Sequence, residues 1–468
     1  MTLHLSLIDW LLVALYGAVL TVLAVRHTRS ARSSAEEFIL GGRLLTLPGF
    51  VAALVSTWYG GILGVGEFSY QYGIANWFVF GFPYYVFAII FAFFFARRVR
   101  DSAVFSIPDI LTRTYGRPSG IVGAVLVFFV SSPAPYFLML GVLVEVVTGW
   151  PTLVCLGLGA VLTVAHVYSG GMRAVVRTDL MHFALMFGGF LLLLAFLVPA
   201  HGITPFIAER VPSSLLTITG GNSWQYILVW FFIAMWTLVA PQFHQFTLSA
   251  RTPATARTGI LVSVGCWMVF DAITTLSGLY ARALLPDLAS PAMAYPLLAE
   301  AVLPPLAKGL FFLGMLATVL STTDGLTFIC AATVGRDVLA PLFGTDDSLR
   351  ITRLTQLGIV LTAVVSVAGA IVFPSVISLW YVIGTLFIPS LLLPLTAAYY
   401  PRLRVGPRAT MLAMVGGFLS SLAWFTAGEL AKVGGVAQYP LSIEPMYAGL
   451  AFTMLVYVVA RRAGGRTP

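Results

Sequence analysis

Apolar runs of about twenty residues recur along the whole chain, separated by short polar connections. They mark about thirteen spans, near 8–26, 46–66, 74–96, 119–148, 151–168, 174–199, 224–248, 258–285, 306–333, 350–373, 375–399, 408–428 and 444–462. Runs of this length cross a bilayer as helices, whereas barrel strands alternate over about ten residues. The expected fold class is therefore an all-α polytopic membrane protein. The first run carries Asp9 near its start, no basic segment before it and no small-residue cleavage site after it, so it reads as a retained helix. Connections near 97–118, 200–223 and 286–305 are the longest, and none suits a soluble domain. The stretch from Ser106 to Gly116 reads as a short amphipathic helix at the headgroups.

Two spans break the pattern from within. The second carries Ser56, Thr57, Trp58 and Tyr59 followed by Gly60, Gly61, Gly64 and Gly66, with an interruption expected over Tyr59–Gly64. The seventh carries Pro241, Gln242, His244 and Gln245. Glycine and proline cost about 1 and 3 kcal/mol in a helix interior relative to alanine. Unwound backbone survives at membrane depth only where protein or an aqueous cavity satisfies it. Paired interruptions in two halves of a chain point to a secondary-transporter site. The two lie five spans apart, an odd offset, so the halves have opposite topology. The chain then divides into an accessory helix and cytoplasmic loop (1–45), a first inverted repeat (46–199), an extracellular connection (200–223), a second repeat (224–399) and C-terminal accessory helices (400–468).

One apolar span holds an unusual cluster, Thr318, Ser321, Thr322, Thr323, Asp324 and Gly325. Thr318, Ser321, Thr322 and Gly325 share one helical face by their spacing. Hydroxyls without a strong base suit a small hard cation that takes oxygen ligands. The alternative for each hydroxyl is a bond back to its own helix, four residues earlier.

Composition narrows the class. Charged residues make up 9% of the 468 and hydrophobic residues 59%, against about 25% charged in soluble domains. With the N-terminus outside, 22 of the 26 basic residues fall in cytoplasmic segments and only Arg210, Arg282, Lys308 and Lys432 outside. This places the C-terminus in the cytoplasm and accounts for the net charge of +8 without a nucleic-acid partner, because the arginines are spread over seven short segments. Cys155, Cys266 and Cys330 all lie in apolar spans and fit neither a metal knuckle nor a disulfide framework. No zinc-protease, nucleophile or phosphate-loop motif is present, so an enzyme is not expected and no cofactor is implied.

Five stretches resemble the sodium:solute symporter family, in family order. They are Glu36 to Arg43, with the acidic-Phe-x-Leu-Gly-Gly-Arg pattern; Ser56-Thr57-Trp58 with Gly64 to Glu67 and Tyr72-Gly73; Ile107 to Leu111 with Tyr115-Gly116; Tyr168 to Asp179; and Ala317 to Gly325 with Gly335-Arg336-Asp337. The resemblance implies a bacterial inner-membrane protein of the leucine-transporter type. Its spans two to eleven would form a five-plus-five inverted repeat with two broken core helices. It implies sodium-coupled uptake of a small organic solute by alternating access.

Carried over residue by residue, the resemblance implies a sodium ion held by the hydroxyls of Ser321 and Thr322 and the carbonyl of Thr318. Carbonyls near Ser56 and Tyr59 would complete it. A second cation would use Asp179, Ser321 and the positions of Asp324 and Gly325. Family members often carry hydroxyls at those last two positions, and Gln-Arg where this chain has Gln245-Phe246. Solute-binding candidates are Trp58, Gly60, Gly61, Tyr136 and Gln242, with Tyr59 beside them. Helix ends at the breaks suit a carboxylate, and no mid-membrane arginine is present to clamp an anion. The rival reading keeps the fold and couples to protons, or dispenses with sodium, through a buried acid: Asp179, Asp271 or Asp324. His166, His182 and His244, scattered over three spans, read as satisfied core residues.

Overall fold

The computed structural model describes residues 3–26, 39–373, 375–434 and 436–463, with side chains other than those of 23–26, 41 and 169–175. Residues 36–38 of the lead-in motif and most side chains of the 168–179 motif therefore lie outside the described residues.

Among the described residues the chain is helical, with only isolated bridges at Leu45–Ala250 and Val433–Val436. Among the described residues nine helices are long and apolar enough to cross a membrane, and the bent pair Leu47–Trp58 and Ile62–Tyr72, taken as one, makes a tenth span. Leu7–Val22 and Thr152–Tyr168 are shorter apolar helices, and Pro445–Arg462 closes the series. The amphipathic segment is a helix over Ile107–Tyr115, capped by the Ser106 side chain accepting from the Asp109 N–H.

The two expected spans at 151–168 and 174–199 share one continuous helical assignment, Thr152–His201. Yet His166 and Asp179 on it meet Asp324 and Ser321, which are one turn apart on the Ala307–Ala332 helix. Thirteen residues of straight helix would separate the first two by about 20 Å. The two halves therefore do not share one straight axis.

Burial orders the bundle. In its apolar 18-residue stretch the Ala307–Leu342 span has 94% of its residues buried, against 28% in the corresponding stretches of Val176–His201 and Pro407–Leu430. The polar Ala307–Ala332 helix is thus the centre, and exposed apolar side chains such as Leu11, Leu191 and Leu419 form the outer face. Small residues let neighbours approach it closely: a Cβ on Gly314 would meet the Leu185 carbonyl oxygen at 2.7 Å. Asp9 ties the first helix to the start of this centre, accepting from the N–H groups of Leu306 (2.8 Å) and Gly309 (3.0 Å).

The second span bends by 58°. The break is shorter than the sequence suggests. Helix ends at Trp58 and resumes at Ile62, so Gly64 lies inside the second half-helix. Gly64 and Gly66 are there for packing: a Cβ on Gly64 would press on Trp380 and one on Gly66 on Tyr295. The seventh span is interrupted at Ala240, where φ −65° and ψ 116° leave the helical region just before Pro241. It does not bend beyond 40°, and runs on to Ser249 as one span.

Candidate functional site

The bend creates the site. The break leaves carbonyls at the end of the Leu47–Trp58 half-helix without the usual partners four residues on. Gly60 allows the Ala307–Ala332 helix to close over them, since any Cβ there would overlap the Thr322 side chain. Thr322 Oγ1 then lies 2.7 Å from the Thr57 carbonyl oxygen, 3.2 Å from that of Ser56 and 3.4 Å from that of Thr318. Ser321 Oγ lies 2.6 Å from Asp179 Oδ1 and 3.0 Å from Ser56 Oγ. Ser56 Oγ in turn donates to the Ala52 carbonyl at 2.7 Å.

This cluster has more lone pairs than protons. A hydroxyl carries one hydrogen, so Thr322 can satisfy only one of its three carbonyls. Thr57 Oγ1 and Asp179 Oδ2 are buried and make no hydrogen bond among the described residues. Oxygen-rich and proton-poor, the cluster is chemically suited to a small hard cation. Of the residues singled out from sequence, Ser56, Thr318, Ser321, Thr322 and Asp179 are brought together here. Thr57 belongs with them through its carbonyl; its signal in the sequence is its place just before the glycines. Tyr59 sends its side chain elsewhere, donating to Asp271 Oδ1 at 2.5 Å.

Asp324 sits apart from that group. Its Oδ2 is 2.5 Å from His166 Nδ1, while Oδ1 has no hydrogen-bond partner among the described residues. His182 bridges outward, with Nε2 2.9 Å from the Tyr16 hydroxyl and Nδ1 3.7 Å from Asp179 Oδ1. His244 lies against Tyr399 and the Leu238 carbonyl. All three histidines are partnered. Gln245 donates to the Ile39 carbonyl at 2.6 Å, which fastens the end of the seventh span to the start of the core.

On the other side of the bend lies a cavity of about 90 Å³. Trp58, Tyr59, Gly61, Tyr136 and Gln242 all line it; Gly60 does not, because it faces Thr322. The sequence marks Asp271 as a buried acid without naming its partners. In the structure it lines this cavity and accepts from the Tyr59 and Tyr85 hydroxyls. Trp267 and Trp380 complete the aromatic wall, with Trp58 edge-on to Tyr84 and Phe243. The strip Ser56–Gly61 thus borders both the oxygen cluster and the cavity.

Comparisons with known proteins agree with this architecture. Residues 38–417 match the sodium:solute symporter family. The chain is 25% identical to the sodium/pantothenate symporter of Escherichia coli, over 98% of this chain and 96% of that protein. It is 24% identical to the osmoregulated proline transporter OpuE of Bacillus subtilis, over 76% and 75% of the respective chains. Its fold is similar to that of a Na+-coupled sialic acid symporter solved substrate-bound and outward-open. The TM-score is 0.78 at 16% identity, with 99% of this chain and 98% of the other covered. Mhp1, a nucleobase-cation-symport-1 family transporter, superposes with a TM-score of 0.59 at 12% identity, over 91% and 94% of the chains. The architecture is the leucine-transporter type. The chain is a polytopic membrane transporter, not an enzyme, and it belongs to the sodium:solute symporter family.

Proposed function

We propose that this protein is a secondary active transporter that couples inward sodium movement to uptake of a small organic solute by alternating access. The observation that carries this reading is the proton-poor oxygen cluster of Ser56, Thr57, Thr318, Ser321 and Thr322, built across the bend from the aromatic cavity. Sodium is held by the two hydroxyls and by carbonyls of the broken helix, with Asp179 supplying charge through Ser321. The carbonyl of Tyr59 joins as the helix adjusts. Solute sits against Trp58, Gly61, Tyr136 and Gln242. Because Ser56 to Gly61 serves both, sodium binding sets the position of the bend and thereby the shape of the solute cavity. Asp324, held by His166, acts as a gate or a second cation site. The repeats 46–199 and 224–399 move against each other, in a bacterial inner membrane with the N-terminus outside and the C-terminus in the cytoplasm. The distribution of arginines supports that orientation.

At the arginine-rich end, backbone bonds join Leu45 to Ser249 and Arg251, and Arg336 reaches Asp109. These bonds close the cytoplasmic side and must open to release solute. The test is accumulation of solutes in proteoliposomes under an inward sodium gradient. Uptake above equilibrium that collapses when potassium replaces sodium is expected. Accumulation that follows a proton gradient and ignores sodium would replace this reading with coupling through a buried acid.

A further inference from the structure

We infer that the transported solute carries a positively charged nitrogen, and that Asp271 is its counter-charge. This rests on reading the aromatic cavity as the solute site. Asp271 is 3% exposed and lies in the middle of the Pro253–Leu284 helix. Its two oxygens accept from the hydroxyls of Tyr59 and Tyr85, and Tyr59 also reaches Thr274 Oγ1 at 2.8 Å. Those hydroxyls satisfy part of the carboxylate's hydrogen-bonding capacity but bring no charge. Among the described residues lining the cavity there is no lysine, arginine or histidine. A buried charge is costly unless it is paired, and a carboxylate has about four acceptor positions, of which about two remain open here.

Much of the rest of the wall has the same character. Gln242 Oε1 is buried and has no hydrogen-bond partner among the described residues, a second acceptor at the same cavity. Trp58, Tyr84, Trp267 and Trp380 present aromatic rings, whose faces attract cations more strongly when water is excluded. The carboxylate, the unpartnered amide oxygen and the ring faces are electron-rich, and the one unpartnered donor beside them among the described residues, the buried Trp267 Nε1–H, is neutral and cannot compensate the carboxylate charge. A solute ammonium supplies the missing charge to Asp271 and a donor to Gln242. A neutral polyol or an anion leaves the carboxylate uncompensated. Singly cationic and zwitterionic solutes both meet this requirement, because the nitrogen is the group that Asp271 reads.

The experiment is a thermal-stability screen of the purified full chain at saturating sodium. The panel comprises compact primary, secondary and quaternary amines, compact amino acids, neutral sugars and polyols, and monocarboxylates. Choline is included beside its uncharged isostere 3,3-dimethylbutan-1-ol. The strongest stabilisers are expected to carry a cationic nitrogen, and an uncharged isostere of each to bind far more weakly. Asp271→Asn, which keeps the shape and removes the charge, is expected to weaken the best cation by about thirtyfold or more. The ranking in the unmodified protein tests the idea even if that variant does not fold. A polyol or monocarboxylate as the best ligand, or no stabilisation by any cationic member, overturns it. So does unchanged cation affinity in a folded Asp271→Asn protein. The response of the unmodified protein to sodium alone is read in the same instrument, so failure of the sodium reading is seen separately.

Discussion

Replacing Ser321 and Thr322 together by alanine abolishes sodium binding while the protein still reaches the membrane. Both hydroxyls lie on the buried face of the central helix and touch the carbonyls and carboxylate that the broken helix and Asp179 present. An interaction between a charged group and a hydrogen-bonding atom is worth roughly 1.5–3 kcal/mol. Removing two such interactions at once weakens binding by on the order of a hundredfold or more. The change removes one oxygen from each side chain and one methyl group from Thr322, and the carbonyls are met by water in the open state, so insertion and folding survive. Binding of radiolabelled sodium by the purified variant, alongside its amount in the membrane, checks this. Wild-type affinity in the double variant means that the hydroxyls merely back-bond to their own helix.

Gly60→Ala has the second large effect. The added Cβ would overlap Oγ1, Cβ and Cγ2 of Thr322. Oγ1 can rotate away, but the Thr322 Cβ is fixed by the central helix, so the bend itself must move. Overpacking of this kind costs about 1–3 kcal/mol, and it pushes the Ser56 and Thr57 carbonyls away from the hydroxyls. Lower thermal stability and lost sodium binding are expected together. Combining Gly60→Ala with Thr322→Gly relieves the overlap and recovers part of the stability, yet sodium binding stays absent because the hydroxyl is gone. A Gly60→Ala protein with normal stability and normal sodium binding contradicts the close approach of the two helices.

The spans are legible in the sequence because lipid enforces long apolar runs, and so is the bend, because Gly60 and Gly61 interrupt one. The length of the break is not legible. Gly64 and Gly66 look like further interruption, but Trp380 and Tyr295 fill the space their missing side chains leave, and the helix continues. The grouping of Ser56, Thr318, Ser321 and Thr322 follows from helical spacing and from a family resemblance. Thr57 stands in a resembling stretch just before the glycines, but its side chain does not announce its role, because what it offers Thr322 is a carbonyl, which every residue has. The partners of Asp271 lie 212 and 186 residues away in sequence, at Tyr59 and Tyr85. No local pattern announces such a pairing. The same holds for Asp324 and His166, which are 158 residues apart: acid and base are each visible, but only the fold brings them together.

The most direct test of the central claim is the thermal stability of the purified protein in detergent as sodium is titrated against potassium. A ligand bound only by the native state adds about 2.7 kcal/mol at a hundredfold over its dissociation constant. The account predicts a saturable rise specific to sodium and lost in the Ser321→Ala protein. A protein indifferent to sodium, stabilised instead by lowering the pH, would contradict it and move the coupling to one of the buried acids.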